Sequence, residues 1–309
     1  MNILVTGPSG LVGSALASFL TGHAHRVTRL VRRMPKPGAD EIFWDPDAGK
    51  LDAASLDGFD ALVHLAGESI AAARWTNDRK RRILDSRVNG TRLLVSTLAT
   101  LERPPAVMIS TSAVGYYGDS GAEVLREKSS PGTGFLADVC RQWEKAASGV
   151  TGCGIRLAVL RIGMVLSAAG GALPRMLTPF RLGVGGRIGT GNQYISWVTL
   201  DDLVEMMRFV LENASLDGAI NAVTPNPVTN LEFTKALGRV LSRPTVFPLP
   251  SFAVRLMFGE MGEQVLLAST RVEPSRLMMA GFQFCHPELE SALRHVLAQE
   301  RTFASPRDP

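Results

Sequence analysis

Apolar and polar positions follow two rhythms along the first half of this chain. Short apolar runs at Ile3-Leu4-Val5, His25–Val31, Ala61–Leu65, Ala106–Ser110 and Gly154–Ile162 read as buried strands, with Glu41–Trp44 as a shorter one. Longer segments lie between them. Leu11–Leu20, Asn77–Leu101 and Gly134–Ala147 read as helices, and the second carries Leu84, Val88, Val95 and Leu98 as a stripe with Thr91 inside it. Strands alternating with helices predict an α/β fold, a parallel sheet covered on both faces. After Ile162 the texture changes. Seven glycines fall between Gly170 and Gly191, with Pro174 and Pro179 among them. Helices follow at Leu173–Phe180, Leu203–Leu211 (opened by the cap pair Asp201-Asp202), Asn230–Leu241, Ser251–Phe258 and Pro287–Leu297. The expected organisation is a first domain of residues 1–162 plus 199–223 and a smaller, mostly helical C-terminal lobe of 163–198 plus 224–300. Residues 301–309 are expected to form a tail.

The junction of the first strand and first helix carries the most specific chemistry. Thr6-Gly7-Pro8-Ser9-Gly10-Leu11-Val12-Gly13 spaces three glycines in the G-x-x-G-x-x-G pattern. The first permits a tight turn, the second lets a phosphate approach the backbone, and the third lets helix and strand pack closely. The helix N-terminus adds N–H groups and a partial positive charge. This predicts a Rossmann-type doubly wound sheet that binds a dinucleotide and uses its C-terminal lobe for substrate. The end of the second strand selects the cofactor. A site for NAD(H) places an acid there for the ribose 2′-hydroxyl, whereas a 2′-phosphate calls for Arg. The chain reads Thr28-Arg29-Leu30-Val31-Arg32-Arg33 with no acid before Asp40, so Arg32 is the expected phosphate ligand and NADP(H) is favoured over NAD(H).

Composition narrows the remaining classes. At 309 residues, 45% hydrophobic and 20% charged, the chain is globular, and its net charge of +4 is dispersed apart from Arg79-Lys80-Arg81-Arg82. That cluster reads as the solvated start of a helix. No aromatic platform accompanies it, so no nucleic-acid partner is expected. No apolar run approaches the ~18–20 residues of a membrane span, and with a strand read from residue 2 no signal peptide is expected. Three cysteines without C-x-x-C spacing argue against a disulfide framework, so a reduced, cytoplasmic protein is expected. The five histidines are dispersed in sequence, and no metal site is expected.

The motifs together resemble the extended short-chain dehydrogenase/reductases. The likeness rests on the glycine turn, on His64-Leu65-Ala66-Gly67 after the fourth strand, and on Ser110-Thr111-Ser112-Ala113-Val114-Gly115-Tyr116-Tyr117-Gly118 after the fifth. A narrower likeness, to the YfcH-like nucleoside-diphosphate-sugar epimerase branch, adds Glu68-Ser69-Ile70, Arg74-Trp75, Asp85-Ser86-Arg87 and Pro179-Phe180-Arg181-Leu182-Gly183-x-Gly185-Gly186, with a C-terminal helical segment like Phe252–Leu297. The resemblance implies that Gly7, Ser9, Gly10, Leu11 and Val12 contact the pyrophosphate, that Arg32 contacts the adenosine phosphate, and that Leu65 and Ala66 line the path from adenine to ribose. Arg87 stands where most extended members carry Asn, and is either a ligand for a cofactor phosphate or substrate anion or a surface helix residue. Ser112 falls at the family's catalytic Ser/Thr. A homodimer through Asn77–Leu101 is a further expectation of the resemblance, although packing on the sheet explains the same stripe.

One departure stands out. Family members carry Tyr-x-x-x-Lys on the helix after the fifth strand, where the lysine lowers the tyrosine pKa. The matching residues here are Leu136 and Cys140. Tyr116, Tyr117 or Glu68 would have to supply the proton, or else the tyrosines only pack. Arg74-Trp75 is either an anion clamp or rim packing, and Arg175, Arg181 and Arg187 stand where extended enzymes hold a nucleotide diphosphate. Two functions remain open: an oxidoreductase or epimerase acting on a small polar or nucleotide-linked substrate through Ser112 with Tyr116 or Glu68, and a catalytically silent, redox-responsive NADP(H)-binding module.

Overall fold

The computed structural model describes residues 1–304. Its main sheet has eight strands: β1 (Asn2–Thr6), β2 (Arg26–Val31), β3 (Glu41–Asp45), β4 (Lys50–Leu51), β5 (Ala61–His64), β6 (Val107–Ala113), β7 (Arg156–Ile162) and β8 (Gly218–Ala222). Their spatial order is β8-β7-β6-β5-β1-β2-β3-β4. The pairings β1–β2, β1–β5, β2–β3 and β5–β6 are parallel, with Ile3 opposite Val27 on one side and Ala61 on the other. β5 is buried along its whole length and β1 from its second residue, as expected of central parallel strands. From β1 the chain first builds outward through β2 and β3, then returns to β5 on the other side. The order therefore reverses between β1 and β5, and a ligand crevice is expected at the carboxyl ends of those two strands. This is the Rossmann-type fold.

Helices α1 (Leu11–Gly22), α2 (Asn77–Leu98) and α3 (Phe135–Ala147) accompany the sheet. Val88, Thr91, Leu94 and Leu98 turn inward on α2, and Leu94 and Leu98 join Leu4, Leu30, Trp44, Leu62 and Met108 in one core cluster. The stripe on this helix is therefore used within the chain. Leu84, read as part of it, is only half-buried, and Ile83 takes the inward position. Helix α2 stops at Leu98, and β4, which closes an antiparallel hairpin with β3, falls on polar sequence that carries no strand signal.

The chain divides into two compact units. One comprises Met1–Tyr116, Phe135–Arg161 and Val204–Ile220; the other comprises Tyr117–Gly134, Ile162–Leu203 and the chain from Asn221 onward. The sequence pattern kept 117–134 in the first domain. Those residues instead belong to the second unit, where Val124–Leu125 pairs with Arg271–Val272 and the Tyr117 hydroxyl bonds Asn221 Oδ1 at 2.7 Å. The second unit has its own core: α4 (Leu173–Arg181), α6 (Asn230–Leu241) and the helix Leu289–Ala304 enclose Leu177, Phe180, Trp197, Phe233, Leu237 and Leu293. Between α4 and α6 runs α5 (Leu200–Glu212). The helix Leu289–Ala304 continues through the first four positions expected to be tail, and 305–309 lie outside the described residues.

Candidate functional site

Thr6 ends β1 and begins a buried polar chain. Its hydroxyl accepts from the N–H groups of Leu65 (3.0 Å) and Ala66 (3.1 Å), fixing the chain just beyond β5, and lies 2.7 Å from His64 Nδ1. His64 Nε2 lies 2.9 Å from Thr91 Oγ1, which also accepts from Trp143 Nε1 (3.0 Å) and donates to the Arg87 carbonyl (2.6 Å). The bookkeeping closes for only one protonation state. Having accepted two N–H bonds, the Thr6 hydroxyl donates to Nδ1. Nε2 then carries the proton and donates to Thr91, so the imidazole is neutral. Complete burial accordingly holds the His64 pKa down to about 3, with the Arg87 cation pushing the same way.

This network predicts acid sensitivity. The unfolded chain takes up a proton on this histidine near pH 6.5, the folded one only near 3, so between those values the unfolded state binds one more proton. Stability is complete above about pH 6.5 and falls as the pH drops, by about 2 kcal/mol at pH 5 from this group alone. Urea denaturation across pH 5–8 measures it. His64→Gln should lose this part of the slope whatever its absolute stability, and an unchanged slope would remove His64 as the cause.

The glycine turn sits directly above. Gly7 has φ +66°, a left-handed conformation, and a Cβ on it would stand 2.9 Å from the Leu65 carbonyl. A Cβ on Gly13 would come within 2.2 Å of the Gly7 carbonyl oxygen. Gly10 differs: its extra carbon would meet only that oxygen, at 3.4 Å, and its φ is an ordinary −76°. The fold's own packing thus requires bare backbone at Gly7 and Gly13, whereas nothing in the packing around Gly10 requires it there. Helix α1 begins at Leu11 with no side-chain cap, and Ser9 and Gly10 are exposed, so its first N–H groups are available to an anion. Leu65 and Ala66 flank the turn, half-buried. Arg32 follows β2 and is exposed, while its neighbour Arg33 is committed to Glu41 through two bonds of 2.9 and 2.5 Å. These residues fit a dinucleotide.

At the end of β6 the expected catalytic groups are already engaged. Ser112 is buried and donates to Glu144 Oε1 at 2.7 Å. Arg161 holds the same carboxylate from the other side, at 2.9 Å to Oε1 and 2.8 Å to Oε2, and stacks on the Tyr116 ring at 3.4 Å. Leu136 packs against Gly115, where an added Cβ would meet Leu136 Cβ at 3.3 Å. Cys140, one turn later, is buried with Sγ 3.8 Å from the Ala113 carbonyl, and burial pushes its thiol pKa up, keeping it protonated. Tyr117 is buried, bonded to Asn221 and to the Arg126 carbonyl.

Arg79, read with its neighbours as solvated, is buried and pairs with the Glu68 carboxylate and the Ser69 carbonyl. Glu68 is therefore an ion-pair partner and no longer a free acid. Its backbone is tied down as well, the amide by Ser86 and the carbonyl by Arg87 Nη1 at 2.9 Å. Arg87 is not a surface residue: it lies under Gly67 and over the Trp143 ring, and burial lowers its pKa. Trp75 is buried edge-on to Phe135 and donates to the Ile70 carbonyl, so it packs, while Arg74 is exposed. Arg175, Arg181 and Arg187 are exposed. His286 and His295, apart in sequence, meet beside Asp201.

With this geometry in view, the comparisons are specific. The sequence profile of the NAD dependent epimerase/dehydratase family matches residues 3–222. The epimerase family protein Mb2239 of Mycobacterium bovis is 44% identical over 294 residues, spanning 95% of this chain and 97% of its own length. The chain belongs to the NAD dependent epimerase/dehydratase family. It is an atypical extended short-chain dehydrogenase/reductase within it. A second profile, described as a domain of unknown function (DUF1731), matches residues 249–296. Among solved structures, human epimerase family protein SDR39U1 (isoform 2), crystallised with NADPH, superposes with a TM-score of 0.88 at 36% identity, covering 96% of this chain and 99% of that one. A nucleoside-diphosphate sugar epimerase from Corynebacterium glutamicum gives 0.80 at 37% identity, covering 100% of this chain and 62% of that one. Among the described residues, no helix is long and apolar enough to cross a membrane.

Proposed function

We propose that this chain is an NADP(H)-binding member of the family in which Leu136 and Cys140 stand for the Tyr–Lys proton-transfer pair, so that it holds the cofactor without running the family's epimerisation. The observation that carries this reading is the state of the β6 end. Leu136 is apolar, Cys140 is a buried protonated thiol, and the Ser112 proton is committed to a carboxylate already clamped by Arg161. Uncapped N–H groups at Leu11 and Val12, with the bare Gly10, hold the pyrophosphate. Leu65 and Ala66 line the ribose path, and Arg32 grips the 2′-phosphate. Bound there, the cofactor would have a hydride to offer, which this reading leaves unused. The human relative crystallised with NADPH supports the choice of phosphate-bearing cofactor.

Arg32→Ala tests the cofactor assignment. Charge-assisted bonds of about 1.5–3 kcal/mol to a phosphate correspond to about 10–100-fold in affinity. NADPH binding, followed by its fluorescence, should weaken by that factor while NADH binding barely changes. Equal weakening of the two would sink the 2′-phosphate contact.

A second reading keeps an oxidoreductase acting on a small polar or nucleotide-linked substrate, with Tyr116 as the acid. It is favoured by this half-buried phenol directly after Gly115, on which Leu136 packs. NADPH deuterated at C4, offered with a panel of carbonyl compounds and nucleotide sugars, separates the two by mass spectrometry. Tight binding without label transfer supports the first reading. Transfer that disappears in Tyr116→Phe replaces it with the second.

A further inference from the structure

We propose that Asp201, His286 and His295 form a binding site for a divalent transition ion of the zinc class. Three separate segments supply them: Asp201 from the first turn of α5, His286 from the turn before the last helix, and His295 from that helix, Leu289–Ala304. One ligand atom of each lies within 4.8 Å of the other two, and all three side chains are half-buried, open to an ion from solvent. His295 Nε2 is 2.7 Å from Asp201 Oδ2, and the two imidazoles stack at 4.0 Å with their planes 25° apart. Zinc bonds of about 2.0–2.1 Å in a tetrahedron put neighbouring ligand atoms about 3.3 Å apart. The His295–Asp201 pair has to open by about 0.6 Å, and no pair has to close by more than about 1.5 Å.

The donor set has the right chemistry. Two neutral imidazoles and one carboxylate suit a borderline ion and leave a coordination position for water. The site is also braced from behind, as metal sites are. Asp202, buried next to Asp201, accepts from the backbone N–H groups of Cys285 (2.8 Å) and His286 (3.0 Å), which pins the His286 turn to α5. Gln299, one turn beyond His295, donates to Asp201 Oδ2 at 3.1 Å and lies 3.0 Å from His295 Nε2. A bound ion would staple the last helix to the start of α5. Both histidines fall within residues 249–296, the segment matched by the second family profile, so the ion would anchor that segment within its own unit.

The test uses the full chain after chelator treatment, titrated with Co2+ and then Zn2+. We expect one equivalent per chain, visible-region cobalt bands of a four-coordinate N/O site that zinc abolishes, and a zinc-dependent rise in Tm. His286→Ala and His295→Ala should each weaken binding by at least about tenfold, and Asp202→Asn should do so while leaving all three ligands in place. His23→Ala should leave binding unchanged. Absence of saturable one-equivalent binding would overturn the site, as would binding that survives the double His286→Ala/His295→Ala variant. Loss of binding in Cys285→Ser, with both histidine variants unaffected, would overturn the donor set in favour of a thiol site.

Discussion

Replacing Gly13 by Ala is expected to cost about 3 kcal/mol or more and to abolish cofactor binding with it. The added Cβ would lie 2.2 Å from the Gly7 oxygen and 2.9 Å from its carbonyl carbon, both backbone atoms of the turn that ends β1. No rotamer change relieves such a clash; α1 must move away from β1 or the turn must open. Gly10→Ala separates folding from ligation at the same turn. Its Cβ meets nothing closer than 3.4 Å, so stability should hold, yet a methyl group would stand where a phosphate approaches the backbone. Gly22, at the far end of the same helix, meets nothing within 4 Å, and Gly22→Ala should be neutral to about 1 kcal/mol more stable. Chemical denaturation and NADPH fluorescence on the three variants check the set. A Gly13→Ala protein as stable as the parent would refute the packing role of the third glycine.

That turn was legible because its signal is local: three glycines, a strand before and a helix after. The long strands and helices were legible for the same reason, since each runs through several periods of its apolar pattern. Two-residue strands such as Val124–Leu125 and Tyr194–Ile195 carry no period, and their partners, Arg271–Val272 and Val228–Thr229, are chosen by tertiary packing. Charge was the less readable property. Arg79 stands in a run of four basic residues, but its place one helical turn before the buried Ile83 turns it inward onto Glu68, while Arg81 and Arg82 point to solvent. The same helix placed Arg87 beneath Gly67. His286 and His295 are nine residues apart, and only the fold of the last helix against α5 brings them to Asp201. Ser112 and Glu144 lie 32 residues apart, and no spacing rule connects them.

That pairing yields the second large effect. Arg161 and Glu144 form a buried ion pair, with side chains 4% and 15% exposed, whose carboxylate also accepts the Ser112 proton. Two charges taken out of water are expensive singly and tolerable together. Glu144→Leu removes both Arg161 bonds to the carboxylate and the Ser112 acceptor while leaving a guanidinium inside the protein. It should cost about 3–5 kcal/mol. Arg161→Met leaves the somewhat more exposed carboxylate with Ser112 as a donor, and should cost less. The double variant, apolar on both sides, should recover most of the loss, because the penalty in each single variant is an uncompensated charge rather than a lost attraction. Chemical denaturation of all four proteins closes the cycle. If the two losses simply add, the charges are not compensating one another, and the Glu144 carboxylate holds Ser112 independently of Arg161. If they cancel, the end of β6 is held by one mutually neutralising unit, and freeing the Ser112 hydroxyl for a substrate oxygen would require breaking that unit first.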